Sequence, residues 1–454
     1  MAKTHTQYVC QSCGHKSLRW LGKCPSCQSW NTFFEEVVQK QSARTASRPV
    51  AAHTPKSIES IEKMENIRLL SGFNELDRIL GGGYVLGAAV LIGGEPGVGK
   101  STLLLQSLLR MKSVRSLYVS GEESSQQIQY RASRLEEYRG SEHVFVFCEN
   151  NVDAILAELS GGNYQFVVVD SAQTLYDPAL DSSPGTVSQV RECSFRLVEY
   201  CKEKNIPVVL IGHINKEGII AGPKVLEHLV DAVIQFEGDR QGMYRILRSL
   251  KNRFGSTHEM GFFEMEGSGL REVLSPSDIF INESRDKSLS GCSVSCIMEG
   301  SRGLLVEVQA LVSSAVYGTP QRVSKGYDTK KLNMVLAVLE KRCGFRLSLK
   351  DVFLNITGGF TVEDPGVDLA VVLAILSSNE DIPIDPGICV MGELGLSGEI
   401  RSVSKPEQRV LEATRLGFSR IFIPASQFSS KTKQDTAEVV GVKNINELFS
   451  GVFG

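Results

Sequence analysis

The chain has no long hydrophobic run. Its longest apolar stretch, Leu369 to Leu376, is eight residues, far short of the roughly 20 that a membrane-spanning helix needs. Met1-Ala-Lys-Thr-His-Thr-Gln-Tyr8 lacks the apolar centre of a secretory signal. No membrane is therefore expected among the partners, and the expected compartment is the cytoplasm. Neither sign of charge dominates: 49 Lys and Arg against 52 Asp and Glu leave a formal net charge of −3, which argues neither for nor against nucleic acid. A disulfide framework is also missing. Of the 11 cysteines, four form one compact cluster and the rest are scattered, as expected of a reducing compartment with one metal site. The 454 residues allow about three domains, each able to bury its own core.

The cysteine cluster is Cys10-Gln-Ser-Cys13, ten residues, then Cys24-Pro-Ser-Cys27. Each C-x-x-C knuckle turns two thiolates toward one ion, and four thiolates close a tetrahedral Zn²⁺ shell with no open position. Cys10, Cys13, Cys24 and Cys27 are thus expected to hold structural zinc. A segment this short cannot build a core, so metal binding would also be its folding energy. Through residue 56 there are eight basic residues against Glu35 and Glu36. Trp20 and Trp30, the only tryptophans, flank the second knuckle. They read equally as stacking platforms for single-stranded nucleic acid or as packing of the ribbon itself. Residues 39–56 are polar and aperiodic, as a linker is.

Gly94-Glu95-Pro96-Gly97-Val98-Gly99-Lys100-Ser101-Thr102 fits G-x-x-x-x-G-K-[ST]. Ala88–Ile92 before it reads as a buried strand, and Ser101–Leu109 after it as a helix. That junction points backbone N–H groups and the positive helix end at one place, which suits a polyphosphate. ATP and Mg²⁺ are the expected ligands, with Lys100 on the β- and γ-phosphates and the Ser101 hydroxyl on the metal.

Strands and helices then alternate as in a parallel α/β sheet. Ser116–Ser120 runs into Gly121-Glu122-Glu123, Phe166–Val169 ends at Asp170, and Pro207–Gly212 ends at His213. Strand carboxyl ends gather where such sheets bind ligands. Asp170 is expected to hold Mg²⁺, and Glu122 or Glu123 to orient the attacking water as general base. Spacing does not choose between the two glutamates. His213 reads either as a γ-phosphate sensor or as a structural residue.

Tyr118-Val-Ser-Gly-Glu-Glu-Ser124, Gly212–Pro223, Leu226–Asp231 and Phe236–Asp239 resemble the RecA-like ATPase core. Lys251-Asn-Arg-Phe-Gly255 resembles the signature pentapeptide of the bacterial RadA (Sms) DNA-repair family. The resemblance spans essentially the whole chain. It implies a hexameric ring in which nucleotide lies between subunits and Lys251 and Arg253 from the neighbour complete the site. It implies also that Lys216, with Lys251 and Arg253, contacts DNA, and that the partners are single-stranded and branched DNA and a recombinase that forms the strand-exchange filament. The function it implies is a DNA-dependent ATPase, a helicase or translocase moving branch points in recombination and DNA repair after damage.

The implied fold is α/β: a Cys₄ zinc ribbon (1–36), a linker (37–60), a RecA-like P-loop core (61–275) and a C-terminal Lon-like, S5-like α+β domain (286–454). In the last, Leu304–Ala310 and Asp351–Ile356 alternate as half-buried strands, Leu332–Lys341 and Val367–Leu376 read as helices, and Gly392–Ile400 as a hairpin. The region resembles the Lon proteolytic domain, which runs on a Ser–Lys dyad. Here the serine position falls on Gly366 or Val367, and the lysine position near Glu407, with Lys405 close by. A base without a nucleophile gives no acyl-enzyme route. Lys325, Lys330, Lys331, Lys341, Arg342, Arg346 and Lys350 form a basic stretch that suits DNA or a solvated face. An ATP-dependent Lon-like protease and a signalling or autophosphorylating ring ATPase are the alternative functions.

Overall fold

The computed structural model describes residues 4–10, 15–26, 28–39, 57, 67–213, 224–238, 244–257, 259–273, 277, 289–315, 320–357, 361–429, 432, 434 and 436–454. They divide into two compact units, Met1–Glu272 and Val273–Gly454.

The first unit starts with a small antiparallel sheet of β1 (Thr4–Cys10), β2 (Lys16–Ser17) and β3 (Phe33–Gln39), in the order β2-β1-β3. After the hairpin-like pair β4 (Arg68–Leu69) and β5 (Tyr84–Val85), which brackets α1 (Asn74–Leu80), the large sheet begins. Its elements are β6 (Ala89–Gly94), α2 (Lys100–Arg110), β7 (Ser116–Ser120), α3 (Ser125–Ala132), β8 (Val144–Phe147), α4 (Val152–Gly161), β9 (Phe166–Asp170), α5 (Val187–Glu203), β10 (Val208–His213), α6 (Lys224–Leu229) and β11 (Ala232–Gly238). Three antiparallel strands follow: β12 (Tyr244–Asn252), β13 (Met260–Glu266) and β14 (Gly269–Glu272). Together they give one sheet of order β14-β13-β12-β11-β6-β10-β9-β7-β8.

The central parallel strands β6, β7 and β9 are buried along their whole length because both faces are covered. Alternate residues point to opposite sides: Val90, Ile92, Tyr118, Val168 and Ile211 enter one core, and Leu91, Leu117, Val119, Val169 and Leu210 the other. The expected strands and helices around the phosphate loop match to within two residues at each end. The antiparallel extension β12–β14 was not read from the sequence, although it carries the pentapeptide.

In the second unit, β15 (Cys292–Glu299), β16 (Arg302–Ser314), β17 (Arg322–Lys325) and β18 (Lys350–Ile356) form a mixed sheet of order β15-β16-β18-β17, with α7 (Thr329–Cys343) between β17 and β18. Next come α8 (Asp368–Glu380), β19 (Ile388–Val390), the two-stranded pair β20 (Glu393–Leu394) and β21 (Ile400–Arg401), α9 (Pro406–Arg415), β22 (Arg420–Pro424), β23 (Glu438–Val442) and α10 (Ile445–Phe453). β19, β22 and β23 make a parallel sheet. One expectation fails locally. Residues 303–308 of β16 are buried without alternation, because α8 and α9 both pack on that strand.

Candidate active site

The phosphate loop owes its shape to three glycines. Gly97 and Gly99 have φ of 79° and 110°, the left-handed region open to a residue without Cβ. A β-carbon on Gly94 would lie 2.4 Å from the Phe236 carbonyl oxygen, and one on Gly99 would lie 2.6 Å from the Met265 methyl. At Gly97 a β-carbon would meet nothing within 4 Å, so the loop is backed by protein on two sides and open on a third. α2 starts directly from Gly99. This is a concave backbone surface at a helix N-terminus, and it fits a polyphosphate.

Lys100 is buried, and its ammonium donates to the carbonyls of Gly94 (2.8 Å) and Glu95 (2.9 Å). Burial holds its pKa below the ordinary lysine value, against the pull of the Asp170 and Glu122 carboxylates. Those carboxylates share the strand-end edge with the loop. Asp170 closes β9, level with Ser120 of β7, and its Oδ2 accepts from the Tyr118 hydroxyl at 2.5 Å. The Tyr118 hydroxyl also interacts with Ser101, and burial together with Asp170 pushes its pKa well up. Lys100, Ser101, Tyr118, Asp170 and Glu122 therefore form one polar cluster at the mouth of the loop.

The paired glutamates separate. Glu122 Oε1 accepts from the Ser171 hydroxyl at 2.8 Å, next to Asp170. Glu123 forms an ion pair with Arg131 of α3, and its backbone N–H is held by Ser120 Oγ. The backbone puts His213 level with Gly94 across β10 and β6. Lys216 lies outside the described residues.

The pentapeptide sits at the far end of the sheet. At the start of β11 and β6, Asp231 N–H donates to Ala89 O and the Ala89 N–H donates to the Asp231 carboxylate, and Arg253 N–H donates to the Asp231 carbonyl. From Ala89 to Gly94 is five residues, or about 16 Å of strand. Within one chain, Arg253 thus lies a full strand length from its own phosphate loop. Lys251 Nζ donates to the carbonyls of Glu227 (2.6 Å) and Val230 (2.8 Å) at the end of α6, and burial lowers its pKa. Arg253 is 58 % exposed and pairs with Asp231 at 3.2 Å. The two basic residues therefore differ: Lys251 is held by its own chain, whereas Arg253 faces outward.

Over the full length the sequence is 48 % identical to the DNA repair protein RadA of Bacillus subtilis (strain 168), with 100 % of both chains covered. The chain belongs to the RadA family of DNA repair proteins. Another relative, the DNA repair protein RadA of Synechocystis sp., is 46 % identical, with 94 % of this chain and 90 % of the relative covered. Family models match at residues 57–218 (AAA domain), 8–35 (rubredoxin metal binding domain) and 310–427 (subunit ChlI of Mg-chelatase). Two solved structures are similar to part of the chain: a RadB recombinase (22 % identity, TM-score 0.37, 45 % of this chain and 99 % of that one) and a KaiC-like protein from Pyrococcus horikoshii OT3 (20 %, 0.39, 46 % and 100 %).

At the zinc ribbon, Cys10 and Cys24 are fully buried around Phe33. They occupy equivalent turns: Cys10 N–H donates to His15 O and Cys24 N–H to Ser29 O, each at 2.9 Å. Two buried thiols in matched knuckles fit a thiolate-bound metal. Cys13 and Cys27 lie outside the described residues. Trp20 and Trp30 are 53 % and 69 % exposed and lie on the ribbon's outer face, where Trp20 Nε1 donates to Phe33 O at 3.2 Å. Their rings both approach Gly22, and Lys23 lies over Trp30.

No hydrolytic dyad exists at the expected place in the second unit. A β-carbon on Gly366 would lie 2.6 Å from Nη1 of Arg409. Arg409 is fully buried, pairs with Asp364 at 2.6 Å and donates to Cys296 O and Ser404 O. Val367 is buried, Glu407 is exposed, and the exposed Lys405 donates to Gly300 O. A guanidinium fills the space a nucleophile would need, so no Ser–Lys dyad is available at this place. In the basic stretch, Lys331 is committed to buried Asp368 and Lys350 to Asn379; Lys325, Lys330, Lys341, Arg342 and Arg346 are exposed. Among the described residues no helix is long and apolar enough to cross a membrane.

Sequence reasoning missed the roles of Tyr118, Ser171, Asp231 and Arg409, because each acts through a partner that the fold, and not a spacing, brings to it.

Proposed function

We propose that this chain is an ATP-driven DNA motor of homologous recombination and repair, assembled as a hexameric ring that moves branch points in partnership with a strand-exchange recombinase. The observation that carries the reading is the placement of the phosphate loop and Arg253 at opposite ends of the same strands. A cation so placed reaches a phosphate only in another copy, so hydrolysis becomes coupled to subunit motion. Membership of the RadA family supports the DNA-repair role.

In this reading the loop 94–102 binds ATP, with Lys100 on the β- and γ-phosphates. Ser101 and Asp170 would hold Mg²⁺, which neutralises phosphate charge when bound. Glu122, held by Ser171, orients the attacking water and takes its proton. Arg253 of the adjacent copy stabilises charge on the transferring phosphoryl group, and His213 reads the γ-phosphate. Lys251 supports that turn by holding α6, and Lys216 is proposed to contact DNA. Cys10, Cys13, Cys24 and Cys27 hold zinc, and the exposed Trp20 and Trp30 with Lys23 suit a stacked single strand. The domain limits 1–36, 61–275 and 286–454 are part of the proposal, as is a Lon-like architecture without its chemistry in the last.

The test is ATP hydrolysis with and without single-stranded DNA, alongside unwinding of a forked substrate. DNA should stimulate hydrolysis, and Lys100→Ala should abolish both activities. A purified protein whose hydrolysis ignores DNA and which leaves forks intact would refute the motor.

A further inference from the structure

Asp231 lies at the pentapeptide end of the sheet, beside the first residue of β6. Its carboxylate is only 6 % exposed, and a buried carboxylate is tolerated when paired and hydrogen-bonded. Oδ2 accepts the Ala89 N–H at 3.0 Å, Lys202 lies at 3.1 Å from Oδ2, and Oδ1 meets Nη1 of Arg253 at 3.2 Å. The backbone repeats the connection: Asp231 N–H donates to Ala89 O (2.8 Å), and Arg253 N–H donates to Asp231 O (3.1 Å). One residue thus joins the pentapeptide turn to the first residue of β6, the strand that ends in the phosphate loop.

We propose that Asp231 is the positioning residue for Arg253: its carboxylate fixes the guanidinium at the angle from which it enters the next subunit's site, and ties it to the strand carrying its own subunit's phosphate loop. This rests on the reading that Arg253 acts on a neighbouring copy. Neutralising Asp231 does not by itself require Arg253, because Lys202 and the Ala89 N–H already face the carboxylate. What the contact gives is direction. Arg253 is mostly exposed and, among the described residues, its guanidinium pairs with Asp231 alone. A long side chain held at one nitrogen keeps its remaining donors pre-aimed, so less rotamer freedom is lost when the phosphoryl group arrives. Lys251, bonded to Glu227 O and Val230 O, braces the same turn from α6.

The test uses the full chain and three variants: Lys100→Ala, Arg253→Ala and Asp231→Asn. Asparagine keeps an acceptor for the Ala89 N–H, removes the charge and puts an amide N–H₂ donor where the oxygen facing Arg253 was. Asp231→Asn should lower kcat for ATP about 10- to 100-fold with KM little changed, and Arg253→Ala should lower it further. Each is then mixed with excess Lys100→Ala, whose own sites are dead but whose Arg253 is correctly held. If Arg253 acts in trans under Asp231's control, both mixtures regain hydrolysis, because intact phosphate loops now face a competent neighbour. Recovery for Arg253→Ala but not for Asp231→Asn would overturn the positioning role and leave the trans reading standing. Recovery for neither would overturn the trans reading and this inference with it, and a wild-type kcat for Asp231→Asn alone would overturn the inference directly. Where Asp231→Asn does not assemble by itself, the mixture still reports, since only its junctions with Lys100→Ala subunits must be competent.

Discussion

Glu122 and Glu123 are adjacent in sequence and differ in surroundings. Glu122 is held by Ser171 beside Asp170, whereas Glu123 is drawn to Arg131 on α3. A general base must sit where the water attacks, and the Glu123 carboxylate is turned to Arg131 instead. Glu122→Gln should cut kcat by about 10²-fold or more while leaving nucleotide binding intact. Glu123→Gln should cost under about 10-fold, and under about 1 kcal/mol of stability, because its pair with Arg131 is partly solvent-screened. Single-turnover hydrolysis and fluorescent-nucleotide binding separate the two, and the reverse order of effects would reassign the base. The loop residues were legible from sequence because their chemistry is local: one contiguous segment supplies the glycines, the lysine and the hydroxyl. The choice between the glutamates was not legible, because it depends on Ser171 and Arg131, which only the fold brings near.

Among the elements, the turn at 364–367 and helix α9 show how a site can be closed. Asp364 caps the turn through Gly366 N–H (2.7 Å) and accepts Met298 N–H (2.6 Å), while Arg409 of α9 fills the space above Gly366. Restoring the hydroxyl with Gly366→Ser should therefore give no casein hydrolysis. It should also destabilise the second unit by about 1–3 kcal/mol, through crowding against Arg409. Arg409→Ala should cost about 3–5 kcal/mol, because it strands a buried carboxylate; urea denaturation measures both. A Gly366→Ser protein that cleaves casein would show that the space is not closed. The absent nucleophile could be read from the chain, since it is a matter of residue type at one position. The occupying arginine, 43 residues further along, could not.

For the whole molecule, the proposed entry of Arg253 into a neighbour's site, a strand length from its own phosphate loop, carries a consequence for assembly. On that proposal a separated chain should lose activity on dilution. ATP hydrolysis per subunit should fall steeply below the concentration at which sedimentation shows the ring dissociating, and a constant specific activity across that range would contradict the shared site. The sequence by itself determined the ligand class, the knuckle cysteines, the alternating α/β order and the family, because each is written in short spacings and in residue chemistry. Tertiary structure alone decided that Arg253 and not Lys251 faces outward, that Glu122 and not Glu123 adjoins Asp170, and that Asp231 joins the pentapeptide to the phosphate-loop strand. Those outcomes depend on the register between strands far apart in the chain, on which carboxylates burial leaves paired, and on which cations the helix-end carbonyls capture. No local pattern of residues encodes them.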